Sequence, residues 1–247
     1  MNEKVALISG GTSGIGLETA RVLLAGGWFV AVNGRDAQRG ETALASLSAS
    51  DRAVFIEGDV AVAGGCREIV ERTVRVFGRI DGLVTSAGYY EETLLENMTE
   101  EATERIFSVN VYGTVFLCKE ALPYIKERHG AIVTVASDAG LQGNIGCSVY
   151  AATKGAVVAF SRSLALETAP HDVRVNCICP GDVRTPLVER QLAADEALTL
   201  QAMGSLYPLR RIAEPREIAK AVAFLLSEDA SFITAVALPV DGGLTSW

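Results

Sequence analysis

The chain has 247 residues, 22 basic and 30 acidic, for a formal net charge of −8, with 49% apolar and 21% charged residues. That balance belongs to a globular chain and excludes a disordered one. The missing basic excess argues against nucleic acid and against an anionic membrane surface, both of which recruit clustered Lys and Arg.

No apolar run approaches the roughly 18 residues of a membrane span. Five scattered cysteines and two histidines distant in sequence compose neither a disulfide framework nor a His/Cys metal centre, so no metal is expected. The opening Met1-Asn2-Glu3-Lys4-Val5 lacks a signal-peptide layout, and a soluble, cytoplasmic protein is expected.

Short β-branched runs alternate with amphipathic stretches from end to end. Strands are predicted over 4–9, 28–33, 53–57, 80–85, 131–136, 173–178 and 235–240. Helices are predicted over 14–26, 36–49, 63–77, 99–128, 150–169, 186–203 and 214–227. Several strands are apolar on both faces, as when helices cover both sides of a parallel sheet. The expected class is α/β, one domain over 1–247 with a doubly wound parallel sheet and right-handed crossovers. Ligands of such sheets bind beyond the carboxyl ends of the strands, so the residues after each strand matter most.

After the first strand, Ser9-Gly10-Gly11-Thr12-Ser13-Gly14-Ile15-Gly16-Leu17 opens directly into a helix. Gly10, Gly14 and Gly16 permit a tight turn and bring backbone N–H groups close to a pyrophosphate at the helix N-terminus. No lysine closes the turn, which excludes the nucleoside-triphosphate P-loop. The second strand ends Asn33-Gly34-Arg35, with no carboxylate at its tip. Gly34 leaves space, Arg35 offers a guanidinium suited to a 2′-phosphate, and Asp36 caps the next helix. NADP(H) is therefore favoured, with NAD(H) as the alternative.

Ser137 follows the fifth strand, and Tyr150 and Lys154 stand at i, i+4 on the next helix, projecting from one face. A cation held beside a tyrosine lowers its pKa, and the phenolate can then exchange a proton with an alcohol or carbonyl oxygen. A serine hydroxyl nearby can hold that same oxygen.

In these segments the chain resembles the classical short-chain dehydrogenase/reductase family over essentially its whole length. The resemblance implies a Rossmann-type fold and hydride transfer between a nicotinamide and a secondary alcohol or ketone. Ser9–Gly16 resembles the family's T-G-x-x-x-G-I-G turn, with Ser9 for threonine. Asp59-Val60 resembles the pair that holds the adenine ring, and Thr85-Ser86-Ala87-Gly88 stands where the family has N-N-A-G. Asn110 resembles the helix asparagine whose main chain positions a water in the proton relay. Ser137, Tyr150 and Lys154 match the catalytic triad, implying that Tyr150 is the acid/base and that Lys154 depresses its pKa and binds the ribose. Pro180-Gly181-Asp182-Val183-Arg184-Thr185 matches the segment in which Val183 and Thr185 meet the carboxamide. Two departures are notable: Thr85-Ser86 changes the hydrogen bonding beneath the cofactor, and Ser13 leaves Arg35 as the main phosphate reader.

Substrate-pocket candidates are Tyr89, Tyr90, Leu141, Gln142, Asn144, Cys147, Asp182 and Leu187, with Pro186–Leu206 as a mobile lid that also carries Met203. Gln142 and Asn144 suit the polar groups of a sugar or polyol; Leu141, Leu187 and Met203 suit an apolar one. The alternatives are a 3-oxoacyl-carrier-protein reductase-like enzyme, an NAD-dependent sugar or polyol dehydrogenase, and a non-catalytic nucleotide-binding sensor. The first would use Arg184, Arg190, Arg210 and Arg211, which Glu189, Asp195 and Glu196 counter. The retained Tyr and Lys count against the last. A homo-oligomer is expected, a tetramer by resemblance, because helices 99–128 and 150–169 look more apolar than one sheet face needs. Ile106, Val109, Phe116, Leu117 and Leu122 mark the first, and Val157, Val158, Phe160 and Leu164 the second.

Overall fold

In a computed structural model that describes residues 3–48, 51–195 and 197–247, the β-branched runs form β1 (Val5–Ser9), β2 (Phe29–Gly34), β3 (Ala53–Glu57), β4 (Gly82–Thr85), β5 (Ala131–Val135), β6 (Arg174–Pro180) and β7 (Ala237–Val240). All pair in parallel, in the order β3-β2-β1-β4-β5-β6-β7. Between them lie α1 (Gly14–Ala25), α2 (Ala37–Leu47), α3 (Ala63–Phe77), α4 (Glu100–Phe107), α5 (Gly113–Glu127), α6 (Ser148–Thr168), α7 (Pro186–Ala194), α8 (Leu200–Ser205) and α9 (Pro215–Leu226). Both faces of the sheet are covered. Along β1, Ala6 and Ile8 enter a core shared with α1 and α9, while Leu7 enters the opposite core with α3, α5 and α6. This two-sided burial is why the strands read as continuous apolar runs. The strand order reverses between β1 and β4, which opens a crevice at their carboxyl ends.

Three expectations need correcting. The predicted helix 99–128 is interrupted by a π-helical turn over Ser108–Tyr112, between α4 and α5. Its cause is long-range: the Asn110 side chain inside that turn is buried and bonded to backbone and hydroxyl groups of two other segments, the situation in which π-turns recur. The predicted helix 186–203 divides into α7 and α8. Asp195 turns the chain by accepting from Ala197 N at 2.9 Å, and Thr199 caps α8 by accepting from Ala202 N at 3.1 Å. Finally, most of the apolar residues expected to form an oligomer face are core: Ile106, Val109, Leu117, Val157, Val158 and Leu164 are buried, and Phe116, Leu122 and Phe160 pack against them. The predicted helix end at residue 49, and Glu196, lie outside the described residues. None of the described helices is long and apolar enough to cross a membrane.

Candidate active site

The glycine-rich turn is dictated by contact as much as by φ. Gly10 lies in the left-handed region (φ +65°), and a Cβ there would come within 2.7 Å of Ala87 N; a Cβ at Gly16 would strike the Gly10 carbonyl at 2.3 Å. The Ser9 hydroxyl accepts from Ala87 N at 3.2 Å, tying this turn to the loop after β4. Gly14 meets the Thr185 methyl, so the segment after β6 closes over the same turn. Ser13 precedes α1 without capping it, and no acidic residue stands in the first helical turn. The leading N–H groups of α1, including those of Ile15 and Gly16, are therefore free of side-chain acceptors and suited to an anion.

At the end of β2, the space expected beside Gly34 is filled by Thr12, whose Cγ2 would lie 2.6 Å from an added Cβ. Arg35 is exposed and reaches Asp59 only at 3.9 Å. Asp36 does cap α2, accepting from Arg39 N at 3.0 Å. Asp59 accepts from Ala61 N at 2.9 Å, and Val60 is buried beneath Gly113 of α5.

Asn110 is the fastening point of the next layer. Its Oδ1 accepts from Tyr89 N at 2.8 Å, and its Nδ2 donates to Tyr89 O at 2.9 Å and to Thr153 Oγ1 at 3.0 Å. The π-turn, the loop after β4 and α6 are thereby locked together. A Cβ added to Gly88 would stand 3.7 Å from Asn110 Oδ1 and 3.9 Å from Lys154 Nζ, so this glycine floors the crevice.

Lys154 is buried, and its ammonium donates to Val135 O at 3.0 Å and lies 5.6 Å from the Tyr150 ring centre. Burial draws its pKa down to about 8. The Tyr150 phenol is pushed up, first by burial and then by Asp138, Cys147 and Asp182, while Ser137 pulls it the other way. Burial is the largest cause of this shift, and the Lys154 ammonium, expected to depress the phenol, is directed to the Val135 carbonyl.

The buried lysine carries a stability cost with a definite pH window. Its folded pKa lies below the ordinary 10.5, so the unfolded chain binds the extra proton between pH 8 and 10.5, and stability rises with pH there. Lys154→Met is expected to stabilise the protein at neutral pH by up to about 3 kcal/mol, an advantage that fades above pH 8. Chemical denaturation across that range checks it; a Met variant no more stable than the parent at pH 7 refutes it.

The substrate candidates divide. Tyr90 packs edge-on against Tyr150 (4.8 Å between ring centres), and its hydroxyl meets Cys147 Sγ at 3.5 Å and donates to Glu92 at 2.8 Å. Gln142 and Asn144 both donate to Asp138 Oδ2, at 3.3 and 3.1 Å, so their amides are already engaged. Leu141 is exposed and Leu187 half-buried at the rim. Tyr89 turns away to donate to Glu91 at 3.0 Å beneath Arg105. Met203 does not face the crevice: it is buried with Val188, Tyr207 and Ile212 in a small core of its own. After β6, Pro180 and Val183 are buried, and Val183 bridges to Ala213.

Sequence reasoning missed two residues. Tyr207 donates to Asp182 Oδ2 at 2.9 Å and accepts from Asp182 N at 2.7 Å against Gly181, fixing the end of the 186–206 segment to the turn after β6. Burial raises the Asp182 carboxyl above its usual range. Asp138 accepts from the Ser137 hydroxyl at 2.7 Å. Only its position beside Ser137 could have signalled it. The Thr85 hydroxyl, at one of the two departures noted above, is the one buried side-chain polar atom without a partner among the described residues.

A family model described as enoyl-(acyl carrier protein) reductase matches residues 10–245. The chain is 37% identical over 243 residues to L-fucose dehydrogenase of Mus musculus, covering 97% of this chain and 88% of that one. It is 34% identical over 244 residues to the 3-oxoacyl-(acyl-carrier-protein) reductase FabG of Chlamydia pneumoniae, covering 98% and 97%. The solved structure of ElxO with NADP bound superposes with a TM-score of 0.93 at 30% identity, covering 99% and 100%. On this fold, this crevice and these likenesses, the chain belongs to the classical short-chain dehydrogenase/reductase family of oxidoreductases.

Proposed function

We propose that this protein is an NADP(H)-dependent oxidoreductase interconverting a secondary alcohol and its ketone, with Tyr150 passing the proton. The carrying observation is that Asn110 and Lys154 meet at Gly88 beyond the carboxyl edge of the sheet, with Tyr150 beside Lys154 and Ser137 bonded to Tyr150, from three stretches of sequence. When bound, the nicotinamide supplies or accepts the hydride. The glycine turn and uncapped α1 would hold the pyrophosphate, Asp59 and Val60 the adenine, and Arg35 the 2′-phosphate. Ala87, Gly88, Pro180, Gly181, Val183 and Thr185 would line the nicotinamide end. Lys154 would bind the ribose hydroxyls, and the Asn110 main chain would hold a water between it and solvent. Support for NADP(H) comes from the exposed Arg35 and from the NADP-bound ElxO likeness. A panel of sugars, polyols, ketones and 3-oxoacyl thioesters, assayed with NADPH and NADH, tests the reading; turnover with none of them refutes it.

Within that class a neutral sugar or polyol is favoured over an acidic carrier protein. Asp138, Asp182 and Glu92 give the crevice a negative lining. The basic groove of about 550 Å³ lies elsewhere, along Arg184, Arg211, Arg216 and Lys220. Much of its charge is spent: Arg211 on Glu217 at 2.6 Å, Arg184 on Glu189 at 3.2 Å and Arg216 on Glu18 at 3.6 Å. Five unpaired, buried thiols fit a reducing compartment, and the cytoplasm is the expected location.

Residues 186–206 form the proposed lid. Val188, Met203 and Tyr207 pack α7 and α8 into one small core, so the two helices are proposed to move as a unit. Hydrogen exchange there is expected to slow when NADP(H) and substrate are both bound, and to quicken in Tyr207→Phe, which loses the Asp182 tie. Equal, strong protection in free and bound enzyme refutes the lid.

A homo-oligomer, taken as a tetramer, is proposed from surface apolar residues: Tyr112 and Leu166 on α5's approach and α6, and Phe224, Phe232 and Trp247 near the C-terminus. Light scattering is expected to give about four times the 26.1 kDa chain mass. A mass of one chain refutes assembly.

A further inference from the structure

Resting on the proposed reading of Tyr150 as the group at the reacting oxygen, we infer that Tyr90 is a specificity-determining residue. It walls the crevice beside Tyr150 and limits the substrate to one whose reacting carbon carries a small group on that side. The class is a methyl ketone or an open-chain 2-keto polyol, with the matching 2-alcohols. A carbonyl between two bulky groups is excluded.

Tyr90 meets Tyr150 edge-on, with 4.8 Å between ring centres and 80° between planes, so no part of a substrate fits between the two rings. A phenol has one proton and two lone pairs. Tyr90 gives its proton to Glu92 Oε2 at 2.8 Å, and a lone pair meets the Cys147 thiol at 3.5 Å. The Tyr150 phenol also senses Cys147, which brings the hydroxyl ends of both tyrosines to one thiol.

Both partners of Tyr90 are themselves fastened. Thr93 N donates to Gly146 O at 2.8 Å. Gly146 lies in the left-handed region (φ +74°), so close to Glu92 that a Cβ there would stand 3.1 Å from its Cγ. Cys147 is buried at the start of α6, just before Tyr150, and its N–H donates to Asn144 O at 3.2 Å. Asn144 in turn donates to Asp138. The loops after β4 and β5 are thereby clasped across Tyr90, which closes the crevice at that end. On the β6 side Leu187 is half-buried at the rim, and the larger part of the substrate extends that way. In a fixed pocket, one methylene too many costs roughly 10–200-fold in kcat/KM.

The test compares two isomers, octan-2-one and octan-4-one, by kcat/KM at saturating NADPH. The parent is expected to favour octan-2-one by roughly 10–200-fold, and Tyr90→Ala to lower that ratio at least about tenfold. Tyr90→Phe keeps the ring and should keep the ratio. Ribitol is the polyol counterpart, with oxidation expected at C2 and not at C3. A parent that uses both isomers equally, or a ratio unchanged in Tyr90→Ala, overturns the inference. Alkylation of Cys147 by iodoacetamide, followed by mass spectrometry, reads the wall without any substrate. It is expected to run at least about tenfold faster in Tyr90→Ala than in the parent or the Phe variant. Equal rates overturn the inference as well. If no substrate turns over and the thiol is unveiled only in the Ala variant, the proposed function fails and the wall stands. Should Tyr90→Ala not fold, Tyr90→Leu provides the same comparison.

Discussion

Replacing Tyr150 with phenylalanine is expected to lower kcat by roughly 10²–10⁴-fold while leaving KM, cofactor binding and the fold nearly unchanged. The substitution removes one hydroxyl and keeps the ring, whose edge contact with Tyr90 and packing over Lys154 persist. What disappears is the group proposed to give or take the proton at the reacting oxygen, a contribution made in the transition state and scarcely in the ground state. Ser137→Ala is expected to cost about 10²–10³-fold, as for loss of one donor to a developing oxyanion. The pH dependence follows from the raised phenol: reduction, which needs the protonated form, holds up through neutral pH, and oxidation rises as the solution becomes more alkaline. The checks are steady-state kinetics in both directions, thermal melting and NADPH binding by fluorescence. A Phe variant with near-parent kcat removes Tyr150 from the proton path.

The fold was legible because each strand is buried on both faces, so its signal needs no partner to interpret: Val5–Ser9 and Ala131–Val135 read as strands from composition alone. The glycine turn and the Tyr150/Lys154 pair were legible because their spacing is local. The π-turn was not. The apolar period runs through Ser108–Tyr112 without a break, and the helix opens there only because Asn110 is bonded to Tyr89 and Thr153. The break at Asp195–Thr199 did carry local cap signals, which the amphipathic period concealed. The direction of the Tyr150 shift was hidden for a different reason: its first cause is burial, which the i, i+4 spacing does not reveal, while the Lys154 ammonium is directed to Val135 O of β5. Asp138 shows the same limit: its neighbour in sequence is Ser137, but its rigidity comes from Gln142 and Asn144, which only the folded loop brings to it.

Arg35→Ala is expected to weaken NADPH binding by about 10- to 150-fold and to leave NADH nearly untouched, the range that follows from about 1.5–3 kcal/mol for hydrogen bonds to a charged group. The guanidinium stands at the tip of β2, exposed, with only a 3.9 Å contact to Asp59 to surrender on meeting a phosphate. A planar guanidinium can engage two phosphate oxygens at once, whereas the ribose hydroxyls of NADH offer no such charge. Thr12 fills the space beside Gly34, so discrimination is assigned to the Arg35 charge and not to an opening in the backbone. The exposed setting adds a second signature: because salt screens exposed charges over about 8 Å at physiological ionic strength, the NADPH advantage should shrink as salt is raised, and in Arg35→Ala it should be nearly salt-independent. Arg35→Asp goes further, since a carboxylate there repels the 2′-phosphate and accepts from the ribose hydroxyls, and is expected to turn the preference to NADH. Affinities measured by cofactor fluorescence decide it: a parent enzyme that prefers NADH, or an Arg35→Ala variant that loses both cofactors equally, would show that this arginine is a solvated surface residue and that NADP selection, if any, resides elsewhere.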